Sequence, residues 1–255
     1  MSEARATNAG SAAGAVAIIP ARLGSTRFPR KVLADATGKP LIQHVWERAR
    51  LARRVGRVVI ATDAEDVRSA VARFGGEAVM TRADHPNGTS RLAEAADALG
   101  LPDATEIVNV QGDEPELDPG LIDAAIERLS RGDAEIATIA SPFSPGQDPG
   151  DPNLVKAVLR PNGLALYFTR AHAPFPRAGG EPMSPLRHVG LYAYSAGFLR
   201  VYARLAPTPL ERCEMLEQLR ALEHGYRIAA AILPSDHGGI DTPEQYAAFV
   251  ARQRA

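Results

Sequence analysis

Short apolar runs recur along this chain at intervals too long for hairpins, and helical periods fill the gaps. That alternation constrains the fold more than any other feature. VAII (16–19), VVIA (58–61), EIVNV (106–110) and EIATIA (135–140) read as strands buried on both faces. Helical periods lie at 40–53, 65–74, 90–99 and 119–130. A parallel neighbour needs a crossover rather than a turn, so strands joined through helices pair in parallel. The expected class is α/β, a mostly parallel sheet with helices on both faces. Ligands of such sheets bind beyond the carboxyl ends of the strands.

Two polar segments occupy such ends. PARLGSTRFPRK (20–31) follows the first run and sets Arg22, Arg27, Arg30 and Lys31 among Gly24, Ser25 and Thr26. Small residues let backbone N–H groups approach an anion, and the cations neutralise several of its charges. A triphosphate is a natural guest, although the segment is neither a dinucleotide fingerprint nor a Walker loop. A solvated basic turn is the plainer alternative. QGDEP (111–115) follows the third run and sets Asp113 just past a buried strand, where a carboxylate opposite a basic loop suits Mg²⁺. The formal net charge of −1 makes the basic cluster local, which argues against a general nucleic-acid partner. One cysteine, Cys213, excludes intrachain disulfides and multi-cysteine zinc sites and points to a reducing compartment. No run approaches the roughly 18 apolar residues of a membrane span, so no membrane insertion is expected. Residues 1–14, rich in Ala, Gly and Ser, read as a disordered tail.

The second half changes texture. SPFSPGQDPGDPN (141–153) is dense in Pro, Gly and Asp, and LVKAVLRPNGLALYFTR (154–170) reads as a hairpin across Pro161-Asn162-Gly163. Such an excursion from the parallel sheet suits dimerisation. RHVGLYAY (187–194) reads as a further strand. The spacing then predicts a helix over 209–224, with Thr208 and Glu211 as a T-x-x-E capping box, Pro209 in the first turn and Gly225 at the end. On that helix Glu211, Glu214 and Gln218 share one stripe, the expected solvated face. Glu217 instead falls between Leu210, Cys213 and Ala221, where a carboxylate is either paired with a base or pointed into a site. Arg170 and His188 are the candidates to face it, and Cys213 reads as a small core residue. Asp241, in GGIDTPEQ (238–245), is a candidate second metal ligand, but D-T-P-E is also a helix cap and the pattern favours capping. TRADHPNGTSR (81–91) sets Arg82, His85 and Arg91 around Asn87-Gly88-Thr89. It could cradle a base or a sugar, or hold nothing. His85 alone reads as a surface histidine.

In chain order, IIPAR-GSTR-P-K, GKPLI-HV-ERA, ATD, TRADH, GT-RLAEA, VNVQGDEP, ALYF-RA, RH-G-Y-Y and PLE--EMLEQLRALE-G resemble the CMP-Kdo synthetases, the 3-deoxy-D-manno-octulosonate cytidylyltransferases. The resemblance runs from Ala15 to the last helix. It implies a Rossmann-like nucleotide-diphospho-sugar transferase fold, with one domain over 15–255 in which 154–210 carries the dimerisation and sugar-pocket excursion. It further implies a cytoplasmic, Mg²⁺-dependent homodimer that joins CTP and Kdo into CMP-Kdo and pyrophosphate for lipopolysaccharide biosynthesis. Carried over residue by residue, Arg22, Ser25, Arg27 and Lys31 match the phosphate-holding positions, with Arg22 and Lys31 also catalytic. Arg82, Gly88 and Thr89 match the surroundings of the cytidine, and Asp113 and Asp241 match the two magnesium-binding, catalytic aspartates. Gln111, Arg170, His188, Tyr192 and Glu217 match the sugar-acid pocket. The resemblance thus turns Asp241 from cap into metal ligand. This chain departs from the usual pattern at Ser90, where an acid is frequent, and at Arg30, where glycine is frequent. Those departures leave open a related sugar acid, such as the 8-amino analogue, and a CTP-binding protein without turnover is a further alternative.

Overall fold

The structure, a computed structural model, describes residues 14–85, 87–175, 177–181, 183–236 and 238–254. Apolar runs become strands and helical periods become helices in strict succession over the first half. These are β1 (Ala15–Ala21), α1 (Leu41–Arg50), β2 (Val55–Thr62), α2 (Glu65–Arg73), β3 (Glu77–Met80), α3 (Gly88–Ala98), β4 (Glu106–Asn109), α4 (Pro119–Leu129) and β5 (Ile136–Pro142). The hairpin follows as β6 (Lys156–Leu159) and β7 (Ala165–Thr169), then β8 (Leu186–Ser195), α5 (Ala196–Tyr202), α6 (Pro209–Glu214), α7 (Gln218–Glu223), β9 (Ile228–Ile232) and α8 (Pro243–Arg254). The main sheet runs β3-β2-β1-β4-β8-β5-β9, with the β6–β7 hairpin joined to β8. All neighbours on that path pair in parallel except β8, which is antiparallel to both β4 and β5. The expected mostly parallel sheet is therefore present.

Strand pleating sorts the core into two faces. Along β1, Ala15, Ala17, Ile19 and Ala21 join one cluster with Ile42 and Val45 of α1, Val67 of α2 and Leu121 and Ile122 of α4. Val16 and Ile18 join the other, with Leu92 of α3, Leu199 of α5 and Leu219 of α7. Each fully buried Leu, Ile or Val side chain among these contributes roughly 1.5–3 kcal/mol, so helices are held on both faces. A smaller cluster of Leu41, Ile240, Tyr246, Phe249 and Val250 docks α8 and the chain before it against the start of α1.

Several expectations give way. β3 and α5 carry no signal strong enough to predict them. The helix expected over 209–224 is broken: Met215 sits in the left-handed region at φ 53°, ψ 48°, ending α6 before α7 begins. The supposedly solvated stripe is largely buried, because α6 and α7 fold back on each other. Glu211 and Gln218 are buried, and the Glu211 carboxylate receives Arg220 Nε at 2.8 Å together with a second bond from Arg220 Nη2. Cys213, read as core, is exposed. Of the expected tail, residues 1–13 lie outside the described residues, while Gly14 packs against the backbone of Arg54 and Gly56.

Candidate active site

The carboxyl ends of β1 and β4 open into a cleft of about 400 Å³. The two strand ends approach closely at Gly112, where an added Cβ would lie 2.6 Å from the carbonyl oxygen of Pro20. Only glycine fits there. Arg22, Ser25, Arg27, Lys31, Gly88, Gln111, Asp113, Glu217 and Asp241 all line the cleft.

Its centre is a lysine held by two acids. Lys31 Nζ donates to Asp113 Oδ2 at 2.7 Å and to Asp241 Oδ1 at 2.9 Å, across 82 and 210 residues of sequence. The two carboxyl oxygens can thus be no farther apart than those two distances together. Lys31 Nζ also donates to Ile240 O at 2.8 Å, and Ile240 N donates to Asp113 O at 2.8 Å. Burial works against the Lys31 charge, but Asp113 and Asp241 outweigh it and raise the pKa, so the ammonium persists. Asp241 is likewise opposed by burial yet held below the usual carboxylate range by Lys31 and Arg27, the latter at 2.9 Å from Oδ2. Capping falls to its neighbour: Gln245 N donates to Thr242 Oγ1 at 3.3 Å. Asp241 is therefore free of the role its pattern suggested.

The donor set fits a hard divalent cation. Among the described residues no group of three or more His, Cys, Asp or Glu forms a metal cluster. Mg²⁺ commonly takes one or two carboxylates and completes its shell with water and substrate phosphate oxygens. Two carboxylates already closed on one cation, beside a basic strand-end loop, meet that requirement. Within the loop, Ser25 Oγ accepts from Phe28 N at 3.3 Å. Arg22 is exposed and unpaired among the described residues. Arg30 adopts φ 59°, a conformation suited to glycine, and pairs with Asp66 at 2.8 Å. That backbone would suit glycine, the residue that the resemblance leads one to expect here.

The 81–91 loop enters α3 beside the cleft. Asn87 Oδ1 accepts from Ser90 N at 2.9 Å and caps the helix, and Asn87, Gly88 and Arg91 face the cavity. His85 is not a surface residue. Its side chain is 4% exposed, with Nδ1 3.1 Å from Ser90 Oγ and Nε2 bonded to Glu94. Arg91 is also buried, joined to Asp63 at 3.0 Å. Nothing local in the sequence distinguished His85; the only signal was its partner Glu94 one helical stretch downstream. Arg82 is not brought to the cleft lining, since its backbone N–H and Nε both turn to Glu94.

The sugar-pocket candidates divide. Gln111 and Glu217 line the cleft; Gln111 Nε2 donates to Gly190 O at 3.1 Å and Glu217 Oε2 accepts from Thr89 Oγ1 at 3.1 Å. Glu217 arrives there through the Met215 break, not along a continuous helix face. His188 and Tyr192 flank Gly190 on β8, their rings 5.4 Å apart, and a Cβ at Gly190 would meet only open space. Burial, with Arg187 adding to it, pushes His188 down to about 3, so its imidazole is neutral. Thr138 Oγ1 lies 3.0 Å from His188 Nε2 and 2.8 Å from Leu191 O. Arg170 is spent elsewhere: its guanidinium donates to Glu214 O at 2.7 Å, Pro152 O at 2.9 Å and Met215 O at 3.4 Å, capping α6.

A second cleft, of about 430 Å³, opens at the opposite edge, where β2 and β3 begin. Its cations are engaged: Arg50 stacks on Trp46 at 4.5 Å and Arg57 pairs with Glu77. The paired acids and the cationic loop gather at the first cleft. A strand-end cationic loop facing paired acids on an open, mostly parallel sheet defines a nucleotidyltransferase. Residues 16–228 match the cytidylyltransferase family. The 3-deoxy-manno-octulosonate cytidylyltransferase of Syntrophobacter fumaroxidans is 51% identical over 237 residues, covering 92% of this chain and 95% of that protein. The chain belongs to the 3-deoxy-manno-octulosonate cytidylyltransferase (CMP-Kdo synthetase) family. The structure of CMP:2-keto-3-deoxy-manno-octonic acid synthetase complexed with CTP superposes with a TM-score of 0.88 at 38% identity, covering 95% of this chain and 99% of that one. A cytidylyltransferase from Leptospira borgpetersenii, 16% identical with a TM-score of 0.58 over 93% of this chain and 84% of its own, shares the fold.

Proposed function

We propose that this chain activates 3-deoxy-D-manno-octulosonate with CTP, releasing pyrophosphate and forming the CMP-sugar used in lipopolysaccharide biosynthesis. The observation that carries the reading is the single ammonium of Lys31 gripped by Asp113 and Asp241, at one end of a cleft that also holds Gln111 and Glu217. The anomeric hydroxyl of the sugar acid attacks the α-phosphorus, the bond to the β-phosphate oxygen breaks, and the hydroxyl proton passes to solvent. Such transfers need positioning and charge stabilisation more than covalent help. Lys31 and Arg22 offset charge growing on the departing pyrophosphate. Arg27, exposed and among the described residues paired with Asp241 alone, can exchange that carboxylate for a phosphate. Asp113 and Asp241 would hold Mg²⁺, which when bound lowers the pKa of a coordinated hydroxyl and clamps phosphate oxygens. On the sugar side Gln111 and Glu217 offer a donor and an acceptor, and neutral His188 reads hydroxyls rather than charge. Arg170 joins the pocket only by giving up backbone carbonyls.

A homodimer in the cytoplasm is part of this reading. Supporting it are the exposed apolar side chains of Leu166, Phe175 and Met183 along β7 and the loop after it, the nucleotide substrate, and the lone unpaired cysteine. A monomer in sedimentation at micromolar concentration would end the dimer proposal. Pyrophosphate release with CTP and Mg²⁺ tests the activity, using the octulosonate, its 8-amino analogue and a sialic acid as acceptors. Turnover is expected with the octulosonate and none with the sialic acid. Faster turnover of the 8-amino analogue would reassign the substrate. Absence of pyrophosphate with all three, despite CTP binding, would leave a nucleotide-binding protein.

A further inference from the structure

Thr89 and Glu217 stand 128 residues apart in sequence, one on the first turn of α3 and the other at the α6–α7 break, yet they are hydrogen bonded. Glu217 and Gly88, the residue before Thr89, both line the cleft, but Thr89 itself does not. Its hydroxyl is turned to the acid rather than to the cavity.

Glu217 has little else to hold its carboxylate. Its backbone is fixed, since Glu217 O accepts from Tyr202 Oη at 2.7 Å and from Arg220 N at 3.1 Å. The nearby Arg220 guanidinium is committed to Glu211 and to Leu205 O. Among the described residues the Thr89 hydroxyl is the one hydrogen-bond donor to the Glu217 carboxylate. Burial raises the pKa of Glu217, and the Thr89 bond works against that rise. Thr89 in turn sits on a fixed turn: Asn87 Oδ1 accepts from Ser90 N, and Ser90 Oγ donates to Asn87 O at 3.0 Å. A rigid donor therefore meets a half-buried acid that can otherwise rotate about its own χ angles.

We propose that Thr89 is a positioning residue for the sugar acid: its hydroxyl orients the Glu217 carboxylate, while the backbone of the same turn borders the nucleotide. This rests on the reading of Glu217 as a sugar ligand. One turn then serves both substrates through different atoms, and the hydroxyl belongs to the sugar half of the site.

Steady-state kinetics of Thr89→Val, Thr89→Ser, Glu217→Gln and Thr89→Val/Glu217→Gln separate the roles. Thr89→Val should raise the KM for the sugar acid about tenfold, the order expected of one hydrogen bond to a carboxylate. The KM for CTP should stay within about twofold, and Thr89→Ser should restore the sugar KM. On the Glu217→Gln background the valine should add less than about twofold, because the partners act as a unit. Equal rises in both KM values, or full additivity in the double variant, would overturn the inference. So would a normal sugar KM in Thr89→Val beside an impaired Glu217→Gln. A normal sugar KM in Glu217→Gln itself would overturn the sugar-pocket reading, and the positioning role with it.

Discussion

At the scale of single residues, chemistry was legible and burial was not. Lys31, Asp113 and Glu217 could be singled out because a cation cluster, a strand-end acid and an acid among apolar neighbours are unusual in themselves. His85, Glu211 and Cys213 could not, because exposure depends on what folds over a residue. Glu211 shows the energetic consequence. It is 9% exposed and bonded to Arg220, so its removal strands a guanidinium that has little access to water. Burial opposes its ionisation, but Arg220 and the Thr208 N–H outweigh burial and lower its pKa. A carboxyl whose folded pKa is depressed stabilises the protein above its unfolded pKa, near 4.3, and loses that contribution as pH falls through the folded value. Glu211→Gln should therefore be less stable than wild type by about 3 kcal/mol at neutral pH. The gap should narrow below about pH 4. Urea midpoints at the two pH values check this, and a gap that ignored pH would exclude the ion pair as its source.

Elements were legible in proportion to their length and periodicity. The central strands announced themselves as continuous apolar runs, and α1 to α4 as helical periods. β3 is four residues at the sheet edge and α5 only seven, too short for either period to register. The α6–α7 break was hidden for another reason: the T-x-x-E start and the Gly225 stop are both real, so the ends of a single helix seemed marked while its middle carried no breaker. What ends α6 is tertiary. Arg170 takes the carbonyls of Glu214 and Met215, and Thr169 Oγ1 and Arg170 N bond the Glu214 carboxylate. Met215 bears the strain, at φ 53° in a residue 77% exposed, so packing does not complicate a substitution there. Met215→Gly should match or exceed wild-type stability with an unchanged sugar KM. Met215→Ile, β-branched at positive φ, should cost about 1–3 kcal/mol. It should also raise the sugar KM, since the break carries Glu217 into the cleft. Thermal midpoints and kinetics of the pair check both; an isoleucine variant as stable as the glycine one would remove the strain.

Across the whole molecule, the site exists only where the sheet brings three distant segments together. The loop after β1 delivers Lys31, the turn after β4 delivers Asp113, and the chain before α8 delivers Asp241, with α8 docked on Leu41 by Ile240, Tyr246 and Phe249. No local pattern encodes that meeting. Asp241 looked like a helix cap on its own residues, and only resemblance along the full chain marked it as a candidate metal ligand. The antiparallel β8, inserted between β4 and β5, was equally unreadable, because a strand's direction is set by its partners. Asp241→Asn is the decisive substitution, since Thr242 keeps the cap and the amide keeps the shape. Losing its two part-exposed ion pairs, with Lys31 and Arg27, should shift the ligand-free Tm by no more than about 5 °C, because Lys31 keeps Asp113. Turnover should fall about 10²–10³-fold, as for removal of one well-placed charge-stabilising group. Ligand binding raises stability by about 2.7 kcal/mol at a hundredfold excess over Kd. The part of the CTP-induced Tm rise that depends on Mg²⁺ should therefore vanish in the variant, while the part given by CTP alone persists. A full Mg²⁺-dependent rise in Asp241→Asn would show that the metal is held without this residue, leaving Asp241 as the counter-ion of Lys31 and Arg27.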